Sequence, residues 1–131
     1  MAKVHAKDTN VEKMFGELLK PLYKKGKYKR NVKTLMGKPD FVFYKSTAVI
    51  FIDGCFWHGC KKHYKQPKSR VIFWKNKIEG NIKRDREVNK NLKRSGWKVL
   101  RIWEHEIVKD SKKVSDKVIG FLKDEKIINN K

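Results

Sequence analysis

Acidic residues are scarce in this chain. It has 14 Asp and Glu against 34 Lys and Arg, a formal net charge of +20 over 131 residues. An excess of that size disfavours cationic partners and favours polyanions. It points to a phosphate backbone and says nothing of base sequence or chemistry. Cysteine is nearly absent: there are 2, Cys55 and Cys60. A secreted scaffold of this size held by disulfides would carry more. Reduced thiols in a cytoplasmic protein are therefore expected. No long apolar run exists either. The longest, 48–52, is far short of the ~20 residues of a membrane-spanning helix, and the polar N-terminus lacks a signal-peptide core. No membrane partner is expected. The length suits one domain, 1–131, with residues 1–7 a mobile arm and the chain a monomer.

What is present falls into a clear order. Asp8-Thr9 precedes Val11, Phe15, Leu18, Leu19 and Leu22, which recur at helical spacing up to Pro21. Thr9 with Glu12 fits a capping box. Residues 24–30 are a basic link or short strand. Strands are expected over 40–43 and 47–52, joined tightly as a hairpin, the second apolar enough to be buried on both faces. The segment 53–68 has no core pattern. Two helical pieces follow, 69–78 and 82–92, broken near Gly80, with Phe73, Trp74, Ile78, Ile82, Val88 and Leu92 as an inward stripe. Ser95-Gly96 stops the second piece. A strand over 97–103 and a final helix capped by Asp110 or Ser111 complete the chain. A mixed sheet flanked by helices is the simplest packing of this order.

Asp40 begins one strand and Asp53 follows the next. Hairpin pairing brings both carboxylates to one point, where they would suit Mg²⁺. Glu12, on the first helix, caps that helix or points at the same place. His58 is the natural proton-transfer group, because its ordinary pKa is near neutrality. Asp85 either orients His58 or forms an ordinary helix ion pair. Cys55, Cys60, His63 and His105 are the available soft ligands, and Zn²⁺ prefers four in a tetrahedron. Such an ion would pin the 53–68 loop. Phe56 and Trp57 either plug the sheet end or wedge between base pairs. Lys61, Lys62, Lys65, Arg70 and the 24–30 run are candidate phosphate contacts.

Together, Asp8-Thr9-x-x-Glu12-Lys13, Gly37-Lys38-Pro39-Asp40, Gly54-Cys55-Phe56-Trp57-His58, Phe73-Trp74-x-x-Lys77-Ile78, Arg84-Asp85-Arg86, Gly96-Trp97 and Ile102-Trp103-Glu104 resemble the very-short-patch repair (Vsr) endonucleases of the restriction-endonuclease-like fold. The resemblance runs from about residue 7 to residue 108. It implies a Mg²⁺-dependent endonuclease nicking double-stranded DNA beside the thymine of a T:G mismatch. It also implies Asp40 as metal-binding acid, His58 as general base or its helper with Asp85 as partner, Glu12 as catalytic helix glutamate, Cys55, Cys60, His63 and His105 as structural zinc ligands, and Phe56 and Trp57 as intercalating aromatics. Asp53 stands where the best-known member has histidine, which resembles the two-carboxylate pattern of nucleases in general. Two other readings remain: a Vsr-like homing or phage endonuclease cutting a specific paired site, and a non-catalytic zinc-stabilised nucleic-acid-binding module.

Overall fold

The computed structural model describes residues 10–24, 26–55 and 65–123. The first helix, α1, spans Asn10–Leu19 and buries Phe15 and Leu19. It stops short of Pro21, whose ring cannot continue a helix. The proposed cap Thr9 and the arm 1–7 lie outside the described residues. The basic link yields a two-residue strand, β1 (Lys29–Arg30), and the hairpin follows as β2 (Phe41–Phe43) and β3 (Ala48–Asp53).

β2 and β3 pair antiparallel with Phe41 opposite Ile50 and Phe43 opposite Ala48. Parallel pairing joins β3 to β4 (Lys98–Trp103), with Ile50 opposite Leu100 and Asp53 opposite Trp103. The sheet order is β1-β2-β3-β4. The expected mixed sheet flanked by helices, the restriction-endonuclease-like arrangement, is what forms.

One helix, α2 (Val71–Arg94), runs through the expected break at Gly80. A side chain at Gly80 would meet nothing within 4 Å. No neighbour forces a bend there, and the helical ladder simply continues at a cost of ~1 kcal/mol relative to alanine. The expected inward stripe is only half realised. Ile78, Val88 and Leu92 are buried, whereas Phe73 is exposed and packs edge-on against Trp74. The first turns of α2 therefore project beyond the sheet.

A short helix that the sequence did not announce, α3 (Glu104–Lys109), follows β4 directly. α4 (Ser111–Phe121) starts where Asp110 Oδ1 accepts the Lys113 N–H at 3.1 Å, the expected cap. Two cores result from strand alternation. Phe41, Phe43, Ala48 and Ile50 pack with Phe15 of α1, Ile107 of α3 and Val118 of α4. On the other face, Val42, Val49 and Phe51 pack with Val88 and Leu92 of α2. No described helix is long and apolar enough to cross a membrane.

Candidate active site

The hairpin register decides the site. With Phe41 opposite Ile50, Asp40 lies at the end of the sheet that Asp53 also reaches. Asp40 Oδ2 accepts the backbone N–H of Ile52 at 2.7 Å. Glu12 comes from α1 on one face and is buried. Asp53 shares a face with Phe51, because strand side chains alternate, so it points to the α2 side. Asp40 thus sits between a carboxylate from above the sheet and one from below.

Burial pushes the Asp40 carboxyl up to about 7. The Ile52 N–H works against that rise, while the charges of Glu12 and Asp53 and a hydrogen bond with Glu12 add to it. Like charges crowded together in a poorly solvated place cannot all ionise. Asp40 accordingly keeps its proton up to near neutrality.

Asp53 is buried and does not lack a counter-charge. Its Oδ1 accepts from Arg101 Nη1 at 2.9 Å. The same nitrogen lies 3.6 Å from Asp85 Oδ1 of α2. Arg101 Nε donates to Asn89 Oδ1 at 2.7 Å, and the guanidinium lies 4.1 Å from the centroid of the Phe51 ring. Sequence reasoning missed Arg101, taking it as one letter of a core strand. Only its parallel register beside Phe51 turns it toward the acids, and register is not written in composition.

The expected metals are corrected by this arrangement. Among the described residues, no group of three or more His, Cys, Asp or Glu is placed to hold a metal ion. Mg²⁺ on Asp40 and Asp53 was the first expectation. Asp53 instead binds a guanidinium, and one Asp40 oxygen is taken by a backbone donor. Zn²⁺ was the second. Cys55 Sγ and His105 Nδ1 do meet, at 3.2 Å, and the Cys55 N–H donates to Glu104 Oε1 at 2.8 Å. Among the described residues these are two ligands, short of the four that zinc takes. Cys60 and His63 lie outside the described residues, as do His58, Phe56, Trp57, Lys61 and Lys62. The zinc part of the expected fold class goes with this correction.

Of the remaining candidates, Lys65 and Arg70 are exposed at the approach to α2. Arg70 adopts a left-handed backbone with φ 53° and stacks 4.2 Å from the Phe73 ring centroid. The basic run shapes a separate cavity of about 670 Å³ lined by Lys24, Lys27, Lys29, Lys45, Tyr28 and Tyr44. The β2–β3 turn places it at the opposite end of the sheet, about 17 Å from Asp53 at ~3.4 Å per strand residue. It has no part in the acid group.

Comparison with known proteins now bears on this geometry. The family described as DNA mismatch endonuclease Vsr matches residues 1–66. The chain belongs to the Vsr family. It is 42% identical over 102 residues to the type II nicking enzyme V.NmeDIP of Neisseria meningitidis serogroup C, covering 75% of this chain and 68% of that protein. It is 37% identical over 108 residues to the DNA mismatch endonuclease Vsr of Escherichia coli K12, covering 79% and 66%. The type II nicking enzyme V.NaeI of Lentzea aerocolonigenes is 49% identical over 74 residues, 56% of this chain but only 45% of that protein. These Vsr relatives support nuclease action on DNA.

Proposed function

We propose that this chain is a DNA-nicking endonuclease that hydrolyses one phosphodiester at a defined site. The observation that carries the reading is the acid group Asp40, Glu12 and Asp53 at one sheet end in a chain of net charge +20. Lysines and arginines hold the backbone of the duplex, and the sheet end faces the bond to be cut. Asp40, titrating near neutrality, is suited to general acid–base work at physiological pH. As the carboxylate it takes a proton from the attacking water. The new P–O bond forms as the bond to the departing sugar oxygen breaks, and that oxygen takes a proton from solvent water to leave as a hydroxyl. Glu12, hydrogen-bonded to Asp40, helps to keep the Asp40 carboxyl high. Asp53, fixed by Arg101, bounds the site on the α2 side.

Within this reading the target is a specific site in paired DNA, because five relatives are named type II nicking enzymes and the acid at Asp53 fits site-specific nucleases in general. A second target is a mismatch, which the matching family's description, DNA mismatch endonuclease, supports; the resemblance of the sequence makes that mismatch T:G. The two are separated with a duplex panel: a T:G duplex, its T:A counterpart and long fully paired DNA, each with and without magnesium in the buffer. Mismatch direction predicts that only one strand is broken and that the T:G duplex is cut ~10–100-fold faster, the usual discrimination for one base pair. Equal rates on both short duplexes remove the mismatch reading. Selective cutting of the long paired DNA establishes the site-specific one. Binding without any nick leaves only a nucleic-acid-binding module.

Electrostatics supply a further expected result. Replacing Lys65 and Arg70 by glutamine should lower the dependence of log Kd on log salt by about 2, one unit for each lost phosphate contact. An unchanged slope, measured by fluorescence anisotropy from low to moderate salt, places the DNA elsewhere.

A further inference from the structure

We propose that Arg101 is the positioning residue of the acid group, a four-point clamp that fixes Asp53 and Asp85 beside Asp40; this rests on the nicking function proposed above. Four observations converge on one side chain. Its Nη1 bonds Asp53 at 2.9 Å and lies 3.6 Å from Asp85. Its Nε bonds Asn89 at 2.7 Å. Its plane rests on Phe51 at 4.1 Å. The clamp joins three elements: Phe51 and Asp53 from β3, Asp85 and Asn89 from α2, and Arg101 itself from β4. Its side chain is 17% exposed and those of Asp53 and Asp85 are 6% and 21% exposed, so the contacts are sheltered from the screening that weakens surface pairs.

Charge explains why a clamp is needed. Asp40, Glu12, Asp53 and Asp85 gather at one end of a small sheet. Without a cation inside the group, the negative charges on the α2 side repel each other and the phosphodiester. Arg101 cancels one charge and spans two carboxylates. Asp40 keeps its own contacts, the Ile52 N–H and Glu12. A lysine cannot do the same, because a point charge on a flexible stem lacks the fork that reaches Asp53 and Asn89 together.

The role is indirect. Arg101 acts on the reaction through Asp53 and Asp85, so its loss should lower kcat and spare KM. A misplacement of ~1 Å in a catalytic group costs roughly 100-fold. The expected order of kcat is wild type, then Arg101→Lys, then Arg101→Met about 100-fold down, with KM within about twofold.

The closing experiment has two arms on the full chain. The first is a thermal-melt double-mutant cycle of Arg101→Met with Asp85→Asn, which needs no activity. The double variant should melt no lower than the worse single one, the mark of partners in contact. The second is steady-state nicking of the duplex that wild type cuts fastest. A raised KM with unchanged kcat overturns positioning and makes Arg101 a phosphate contact. A kcat loss in Arg101→Met fully restored by Arg101→Lys overturns the fork argument. Additive melting losses remove the clamp even if wild type nicks. A wild-type chain that nicks no duplex, with non-additive melting, removes the proposed function and Arg101's positioning role in it, and leaves a structural clamp alone.

Discussion

Asp40→Asn should abolish nicking, by about 10²–10⁴-fold in kcat, the range for removing a general acid or base, while DNA affinity stays within a few fold. The amide keeps the shape of the carboxyl and can still accept the Ile52 N–H. It cannot take up or release a proton. The same variant should be more stable than wild type above neutrality. Folding raises the Asp40 pKa from 3.8 to about 7. Between those values the folded chain holds a proton that the unfolded chain has released, so stability falls as pH rises through the window. By pH 8 nearly the full cost is present, on the order of 4 kcal/mol for a rise of about three units at 1.36 kcal/mol per unit. Asparagine removes it. The variant should therefore melt several degrees higher at pH 8, and its advantage should vanish by pH 4. Wild-type nicking should rise with pH through about 7, as the Asp40 carboxylate forms. A variant that still nicks places the chemistry elsewhere. One that melts lower at pH 8 shows that Asp40 is not crowded by Glu12 and Asp53.

Opposite signs for activity and stability are the mark of a site maintained against the fold. The rest of the chain is consistent with that view. The chain is strongly basic, and four of its 14 acids are gathered in one place. Glu12, Asp40, Asp53 and Asp85 converge on one sheet end, where a simple hydrophobic plug would be more stable. Buried like charges survive where they do work.

The hairpin was legible in the residues because its strands are short, apolar and separated by a polar turn. That pattern fixed which end Asp40 and Asp53 share. Helix ends were legible where side chains dictate them, at Pro21, Ser95-Gly96 and Asp110. What escaped depends on tertiary neighbours. Gly80 reads as a breaker, yet nothing presses on it and α2 continues. Phe73 reads as core and Arg101 as a strand letter. The reach of α2 beyond the sheet exposes the first, and the parallel β3–β4 register aims the second at Asp53. Strand direction and register are settled by the crossover through α2, which no local pattern specifies. The metal expectations failed for a related reason. Ligand types can be counted in a sequence, but the cation that answers Asp53 is Arg101.

Gly37→Ala should be the most damaging alanine substitution among the described glycines, costing about 2–5 kcal/mol. Gly37 has φ +77°, a left-handed conformation that costs a residue with a Cβ about 1–2 kcal/mol. The added methyl would also sit 2.6 Å from Val88 Cγ1 and 3.2 Å from the Phe51 ring. Those are core side chains of α2 and β3, and forcing a methyl into such packing costs roughly 1–3 kcal/mol. The turn has nowhere to retreat. Lys38 is itself left-handed at φ 51°, its N–H is bonded to Leu35 O at 3.0 Å, and Pro39 leads straight into Asp40. Relief of the clash must move Asp40 or Val88, one turn of helix from Asp85. Gly96→Ala is the control. Gly96 has φ +93°, but a side chain there meets nothing within 4 Å, so it pays for backbone strain alone. Gly37→Ala should melt ~10 °C below wild type, at roughly 3–6 °C per kcal/mol for a chain of this size, and Gly96→Ala only a few degrees below. At a temperature where both variants are folded, Gly37→Ala should still nick more slowly, because the turn that carries Asp40 has shifted. Equal melting losses at the two glycines would mean that the turn does not press on Val88 and Phe51, and the placement of Asp40 by that turn would fall with it.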